Sequence, residues 1–170
     1  LSVRTWGVVA VIVLGLAAGS APLDHELTRV VGIAYESRGR FPYSWGGGHA
    51  ALPGPSLGTC RGYHGATKPC PADRTRGFDC SGFTRWVYRL AFGADVLGPG
   101  NTDDHIRRLR RVRSPQPGDL VFYGRQNKTH HVGIYVGGGK MINAFATGTR
   151  IRVDDVTALT DLLGYYHYRD

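Results

Sequence analysis

Cysteine is scarce in this sequence of 170 residues, with Cys60, Cys70 and Cys80 in all. Their spacing matches no common zinc pattern. Lysine is as rare, at Lys68, Lys128 and Lys140, so the formal net charge of +8 is carried almost entirely by arginine. Those arginines lack the aromatic interleaving of a nucleic-acid module, which argues against nucleic acid as a partner. A long apolar run is missing too. The longest, Trp6 to Ala18, has 13 residues, short of the ~20 needed to span a bilayer. No repeat, heptad or low-complexity tract occurs. What remains is enough chain for one domain with a real core. The 25 glycines are many and concentrate in turns and loops. A basic surface implies an anionic partner, such as a membrane surface or an acidic polymer, and says nothing about fold.

The first 21 residues stand apart. Arg4, an uncharged run to Ala18 and the small residues Gly19-Ser20-Ala21 follow the order of a secretory signal. We therefore expect a signal peptide over 1–21 and a single domain over 22–170. Pro22 disfavours cleavage directly after Ala21, so the cut is expected slightly earlier. Leu1 in place of Met fits a non-standard start codon or a missing upstream piece. The expected location is secreted or cell wall, with no stable membrane association after cleavage; an uncleaved anchor is the alternative.

Residues 24–37 read as a helix with Leu27, Val30, Val31, Ala34 and Tyr35 on one face, ended at Gly39. In Phe41-Pro42-Tyr43-Ser44-Trp45-Gly46-Gly47-Gly48 the glycines let backbone approach something closely. Residues 48–77 form a long Gly/Pro-rich insertion without period, a length that calls for function or a staple. Cys60 and Cys70 offer the staple: in an exported protein they most simply pair with each other, leaving Cys80 as a free thiol. A zinc site from Cys60, His64, Cys70 and His49 is the competing reading. Asn101-Thr102-Asp103-Asp104 opens a short helix, with Arg107, Arg108, Arg110, Arg111 and Arg113 crowding its end. Those arginines are a solvated helix end or, beyond that, a patch for anionic wall polymers. Strands are expected at 119–123, 131–136, 141–146, 150–153 and 164–168. The pattern indicates an α+β domain, with N-terminal helices on a five- or six-stranded antiparallel sheet.

The chemistry centres on Gly77-Phe78-Asp79-Cys80-Ser81-Gly82. Phe83, Val87, Leu90 and Ala91 continue it at helical spacing. Asp79 is a candidate N-cap, which puts Cys80 in the first turn, where free amides and the dipole favour thiolate. A lone cysteine is more often structural; partners are what make this one a candidate nucleophile. His131 begins a strand in which His131, Gly133 and Tyr135 share one face. Asn143, in the next strand, can accept the imidazole N–H and complete a Cys-His-Asn triad.

Four motifs then occur in order: Phe41-Pro42-Tyr43-Ser44-Trp45-Gly46-Gly47, Phe78-Asp79-Cys80-Ser81-Gly82-Phe83, Pro117-Gly118-Asp119-Leu120-Val121-Phe122 and His131-Val132-Gly133-Ile134-Tyr135-Val136-Gly137. Together they resemble the NlpC family of bacterial cell-wall endopeptidases, over roughly residues 26–168. The resemblance implies a reduced papain-like fold and hydrolysis of peptidoglycan stem peptides, typically between γ-D-glutamate and the diamino acid. It implies Cys80 as nucleophile, His131 as base and Asn143 as third residue, where the family often has His. Tyr43 matches a tyrosine lying against the cysteine, and Ser81 a substrate-contacting serine; with Asp79 these are the oxyanion or substrate-binding candidates. No metal or other cofactor is required. Rival readings are a papain-like amidase or acyltransferase on a non-wall substrate, or a non-enzymatic secreted basic wall-binding module.

The triad depends on strand register. A two-residue turn at Gly138-Gly139 is the hairpin default, and it throws Asn143 to the opposite face from His131. A bulge or a wider turn restores the parity. We expect that form, bulged or with a three-residue turn, with Asn143 on the His131 face.

Overall fold

The computed structural model describes residues 22–168, so the expected signal segment at 1–21 lies outside the described residues. Helix α1 (Pro22–Ser37) starts two residues earlier than its pattern suggested. A ribbon of β1 (Ser56–Leu57) and β2 (Arg76–Gly77) leads to α2 (Cys80–Phe92) and the short α3 (Thr102–Ile106). The strands β3 (Leu109–Val112), β4 (Leu120–Arg125), β5 (Lys128–Gly137), β6 (Lys140–Asn143), β7 (Arg152–Asp155) and β8 (Leu162–Tyr168) follow. They form one antiparallel sheet in the order β3-β8-β4-β5-β6-β7. This is the expected α+β architecture, with six strands.

Strand alternation sorts the core. Leu120, Phe122, Val132, Ile134 and Ile142 meet Val30, Ala34, Phe83, Val87 and Ala91 of the helices. Val121, Tyr123 and Met141 take the other face, under Val156. Helix α2 is capped as its sequence suggests: Asp79 Oδ1 accepts from the Gly82 amide at 2.7 Å. Its C-terminus closes on Gly93 in the left-handed region, at φ 73°. Backbone comes very close at its start, where a Cβ on Gly82 would lie 2.2 Å from the Gly47 carbonyl oxygen. That is the close approach the glycine run allows.

Two expectations need correction. Only part of the arginine cluster is a helix end: Arg107 caps α3, but Leu109-Arg110-Arg111-Val112 is strand β3, paired with β8. Its outward positions tolerate arginine because β3 is an edge strand, where charge discourages further pairing. The insertion at 48–77 is not free of structure, since β1 and β2 pair across it and a Cys60–Cys70 disulfide, Cα atoms 5.9 Å apart, closes its tip. Ser44 Oγ further ties its base to the carbonyls of Ala72 and Thr75. The β5–β6 hairpin takes the expected bulged form, which returns Asn143 to the His131 face. Gly137 pairs with Lys140 around a Gly138-Gly139 turn with both φ positive, and a bulge at Val136 then sets Tyr135 opposite Met141 and Ile134 opposite Ile142. Continued, that register places Asn143 opposite Gly133, on the His131 face but diagonal to it.

Two helical glycines should respond oppositely to alanine. Gly82→Ala forces backbone apart and should cost about 1–3 kcal/mol. Gly32 is exposed within α1 with nothing within 4 Å of an added Cβ, so Gly32→Ala should add roughly 0.5–1 kcal/mol. Denaturant midpoints of the two variants measure both.

Candidate active site

Cys80 opens α2 and is 8% exposed. Its thiol donates to the His130 carbonyl at 4.0 Å, and not to the His131 ring. The segment before it is fixed by Tyr43, which bridges to Phe78, and by the Ser44 amide, which donates to the Phe78 carbonyl at 2.9 Å. On the sheet side, Asp103 of α3 accepts from the Thr129 amide and hydroxyl at 2.8 and 2.6 Å, which anchors β5 just before His131. His131 is 5% exposed, and its Nε2 lies 2.8 Å from Asn143 Oδ1. The carbonyl oxygen can only accept, so Nε2 carries the proton and Nδ1 keeps its lone pair. A Cβ on Gly133 would stand 3.3 Å from Asn143 Cβ and 2.7 Å from Met141 Sδ. Glycine there keeps the diagonal between His131 and Asn143 open.

Burial pushes the Cys80 thiol up to about 12, and the Asp79 carboxylate adds to the rise. Amides of Val132, Ser81 and Cys80 itself oppose it. The helix N-terminus therefore acts in the expected direction but is outweighed by desolvation. The expected resting thiolate is corrected to a thiol. Burial likewise pushes His131 down to about 4, although its bond to Asn143 favours the charged form. Between those limits the pair holds one proton, resting on sulfur. Burial holds the Tyr43 hydroxyl above its usual range, with the charges of Cys80 and Asp79 adding to the effect. It stays protonated and can donate.

Tyr43, Trp45 and His131 line one cleft of about 470 Å³, with Tyr63 and His64 from the insertion and Phe145 after β6. Asp79 and Ser81 do not line it. The Asp79 carboxylate caps α2 and takes His49 Nε2 at 2.9 and 2.8 Å, while Ser81 Oγ donates back to Asp79 at 3.1 Å. Their polar atoms serve each other at the start of α2. His49, Arg152 and Asp154 belong to the site without having stood out in it. Asn143 Nδ2 donates to Asp154 Oδ2 at 2.9 Å, and Arg152 Nε donates to the same oxygen at 2.8 Å. Alternation within 152–155 was the available signal, but only the register of β6 with β7 joins it to Asn143.

Residues 39–160 match the NlpC/P60 family. Over 117 residues, 68% of this chain and 21% of the relative, the sequence is 39% identical to peptidoglycan endopeptidase RipA of Mycobacterium tuberculosis. The chain thus spans about a fifth of that protein's length. The solved peptidoglycan hydrolase RipB of the same organism superposes with a TM-score of 0.66 at 31% identity, covering 86% of this chain and 65% of RipB. RipD of that organism, described as a non-catalytic NlpC/p60 domain protein adapted to peptidoglycan binding, gives 0.63 at 27% identity over 85% of this chain and 96% of RipD.

A neutral resting pair makes a chemical prediction. Unreduced protein should take one iodoacetamide label, at Cys80. Its rate at pH 7 should fall below that of an ordinary cysteine, whose pKa is about 8.5, and rise with pH. A fast, pH-independent reaction would instead reveal a standing thiolate–imidazolium pair.

Proposed function

The chain belongs to the NlpC/P60 family, and from that premise we propose that it is a secreted cysteine endopeptidase of peptidoglycan, cleaving stem-peptide amide bonds between γ-D-glutamate and the diamino acid. One observation carries the reading: His131, oriented by Asn143, lines an aromatic-walled cleft, and Cys80 at a helix start reaches the carbonyl of the neighbouring His130. RipA and RipB are named for action on peptidoglycan, which supports that substrate.

The chemistry follows from the protonation states. His131 Nδ1 takes the Cys80 proton as sulfur attacks the amide carbonyl, so charge appears only as the bond forms. Amides at the start of α2 and the Tyr43 hydroxyl would receive the oxyanion. The imidazolium returns its proton to the leaving amine, and water activated by His131 then hydrolyses the thioester. Asn143 accepts from Nε2–H throughout. Export through the segment at 1–21 would bring the enzyme to its substrate, and Arg110, Arg111 and Arg113, exposed or partly exposed along β3 and beyond, offer contacts to anionic wall polymers. The second reading is a non-catalytic wall-binding domain, as RipD is described. The presence of Cys80, His131 and Asn143 together favours catalysis.

Purified protein incubated with peptidoglycan should release stem-peptide fragments, identified by mass spectrometry. Cys80→Ser should abolish release, by roughly four orders of magnitude or more, while Asn143→Ala should retain a residual rate about 10–100-fold below the original. Binding without release by the unaltered protein would favour the second reading.

The pH profile follows from His131. Its neutral form is the base, and its folded pKa is lowered from 6.5 to about 4. The neutral form thus persists to lower pH, and kcat/KM should hold its plateau below pH 6.5 and fall only on approach to about 4. An acid limb at 6.5 or above would contradict the burial argument.

A further inference from the structure

An asparagine is an ambiguous third residue. Its amide presents an acceptor at one end and a donor at the other, and either end can face an imidazole. With oxygen toward His131, Nε2 carries the proton and Nδ1 is free. With nitrogen toward His131, Nε2 must be the lone pair, and the proton moves to Nδ1. The second arrangement removes the base.

We propose that Asp154 is a positioning residue of this site: through the Asn143 amide it selects the His131 tautomer that leaves Nδ1 free to take the proton of Cys80. This rests on the reading of Cys80 as nucleophile and His131 as base. An ionised carboxylate only accepts hydrogen bonds. Asp154 Oδ2 lies 2.9 Å from Asn143 Nδ2, so that end of the amide must be the donor. The other end is then oxygen, 2.8 Å from His131 Nε2, which must be N–H. One acceptor-only group settles the proton positions along the whole chain.

The carboxylate is itself held. Arg152 Nε donates to the same Oδ2 at 2.8 Å, and the Arg152 guanidinium lies 4.5 Å from the centroid of the Phe145 ring. Phe145 meets the His131 ring edge-on, with centroids 5.7 Å apart. Contacts therefore close into a ring through His131, Asn143, Asp154, Arg152 and Phe145. Register makes it so: Met141 pairs with Asp154 and Asn143 with Arg152, all on one face of the sheet. The Asp154 side chain is 15% exposed and Asn143 is fully buried, which limits competition from water. The plain alternative is an edge-strand role, because β7 ends the sheet and inward charges there discourage pairing with another chain.

The experiment follows the imidazole proton by two-bond proton–nitrogen NMR on histidine-labelled protein at pH 7. Kinetics are measured alongside, for the unaltered protein, Asp154→Ala and Asp154→Asn. The unaltered protein should show His131 protonated at Nε2. Asp154→Ala frees the amide to turn; the Nδ1–H form should appear, and kcat should fall about tenfold with KM little changed. Asp154→Asn keeps an oxygen for Asn143 and Arg152 but loses the charge, so the tautomer should persist. Besides Asp154, the groups facing His131 are the Tyr123 ring, Asn143, His130 and Asp79, and Asp154 itself faces Arg152 and Tyr123. With those unchanged, losing the Asp154 charge removes support for imidazolium, and the acid limb should move to lower pH.

An unchanged tautomer and kcat in Asp154→Ala would leave only the edge-strand role and overturn the proposal. If that variant does not fold, an unmoved acid limb in Asp154→Asn overturns it. Should the unaltered protein fail to cleave peptidoglycan, the substrate reading falls, while the tautomer and the Cys80 alkylation profile still decide the role of Asp154.

Discussion

One extra residue in β5 determines which side of the sheet the candidate site occupies. The two-residue glycine turn pairs Gly137 with Lys140; a regular ladder from there would set Asn143 opposite Ile134, facing the helices. The bulge at Val136 absorbs one residue, and Ile134 falls opposite Ile142 instead. Because side chains alternate with period two, the single shift moves every later residue of β6 to the other face. Asn143 joins His131, Ile142 enters the main core, and Met141 enters the smaller one. β7 pairs with β6 and inherits the correction, which brings Arg152 and Asp154 to the same face. A local defect in the ladder thus assembles residues from three strands.

Burial then decides how that assembly carries charge. Cys80 and His131 are both almost out of contact with water, and desolvation penalises thiolate and imidazolium alike. Helix amides favour thiolate, but Asp79 stands beside them and works against them. Asp79 cannot be dispensed with, because its carboxylate caps α2 and receives Ser81 and His49. The site accepts an unfavourable neighbour in return for a well-formed helix start. On the proposed reading, reactivity comes from proton transfer coupled to attack, in which opposite charges form together and stabilise one another.

Local chemistry was legible in the sequence, and tertiary chemistry was not. The α2 cap could be read because Asp79 and Gly82 sit within one turn, and α1 because its apolar stripe repeats. Strand β3 could not, since Leu109-Arg110-Arg111-Val112 is short and its arginines fit a helix end equally well until β8 supplies a partner. β1 and β2 are two residues each and exist only through each other. The His131–Asn143 parity was readable as a choice between turn forms; the actual diagonal needed the position of the bulge. Asp154 and His49 had no motif. Each matters through one hydrogen bond made across the fold, a kind of information that no window of sequence contains.

The insertion at 48–77 shows the same dependence from the other side. Its entry is built into the start of α2: Gly47, just before it, accepts from the Asp79 amide at 3.0 Å, and His49 covers the Asp79 carboxylate. Arg85, 2% exposed within α2, reaches the Ala50 carbonyl while pairing with Asp95 at 2.6 Å. Further along, Trp45 Nε1 donates to the Arg61 carbonyl, and Trp45 packs edge-on to Tyr63 and His64 near the disulfide. One end of the insertion therefore sets the electrostatics behind Cys80, and the stapled end walls the cleft in front of it. Shortening the loop would alter both together. A shorter loop would leave Asp79 without its histidine and so deepen the penalty on the thiolate, while removing Tyr63 and His64 from the cleft wall. The insertion is part of the active site's electrostatics as much as of its shape.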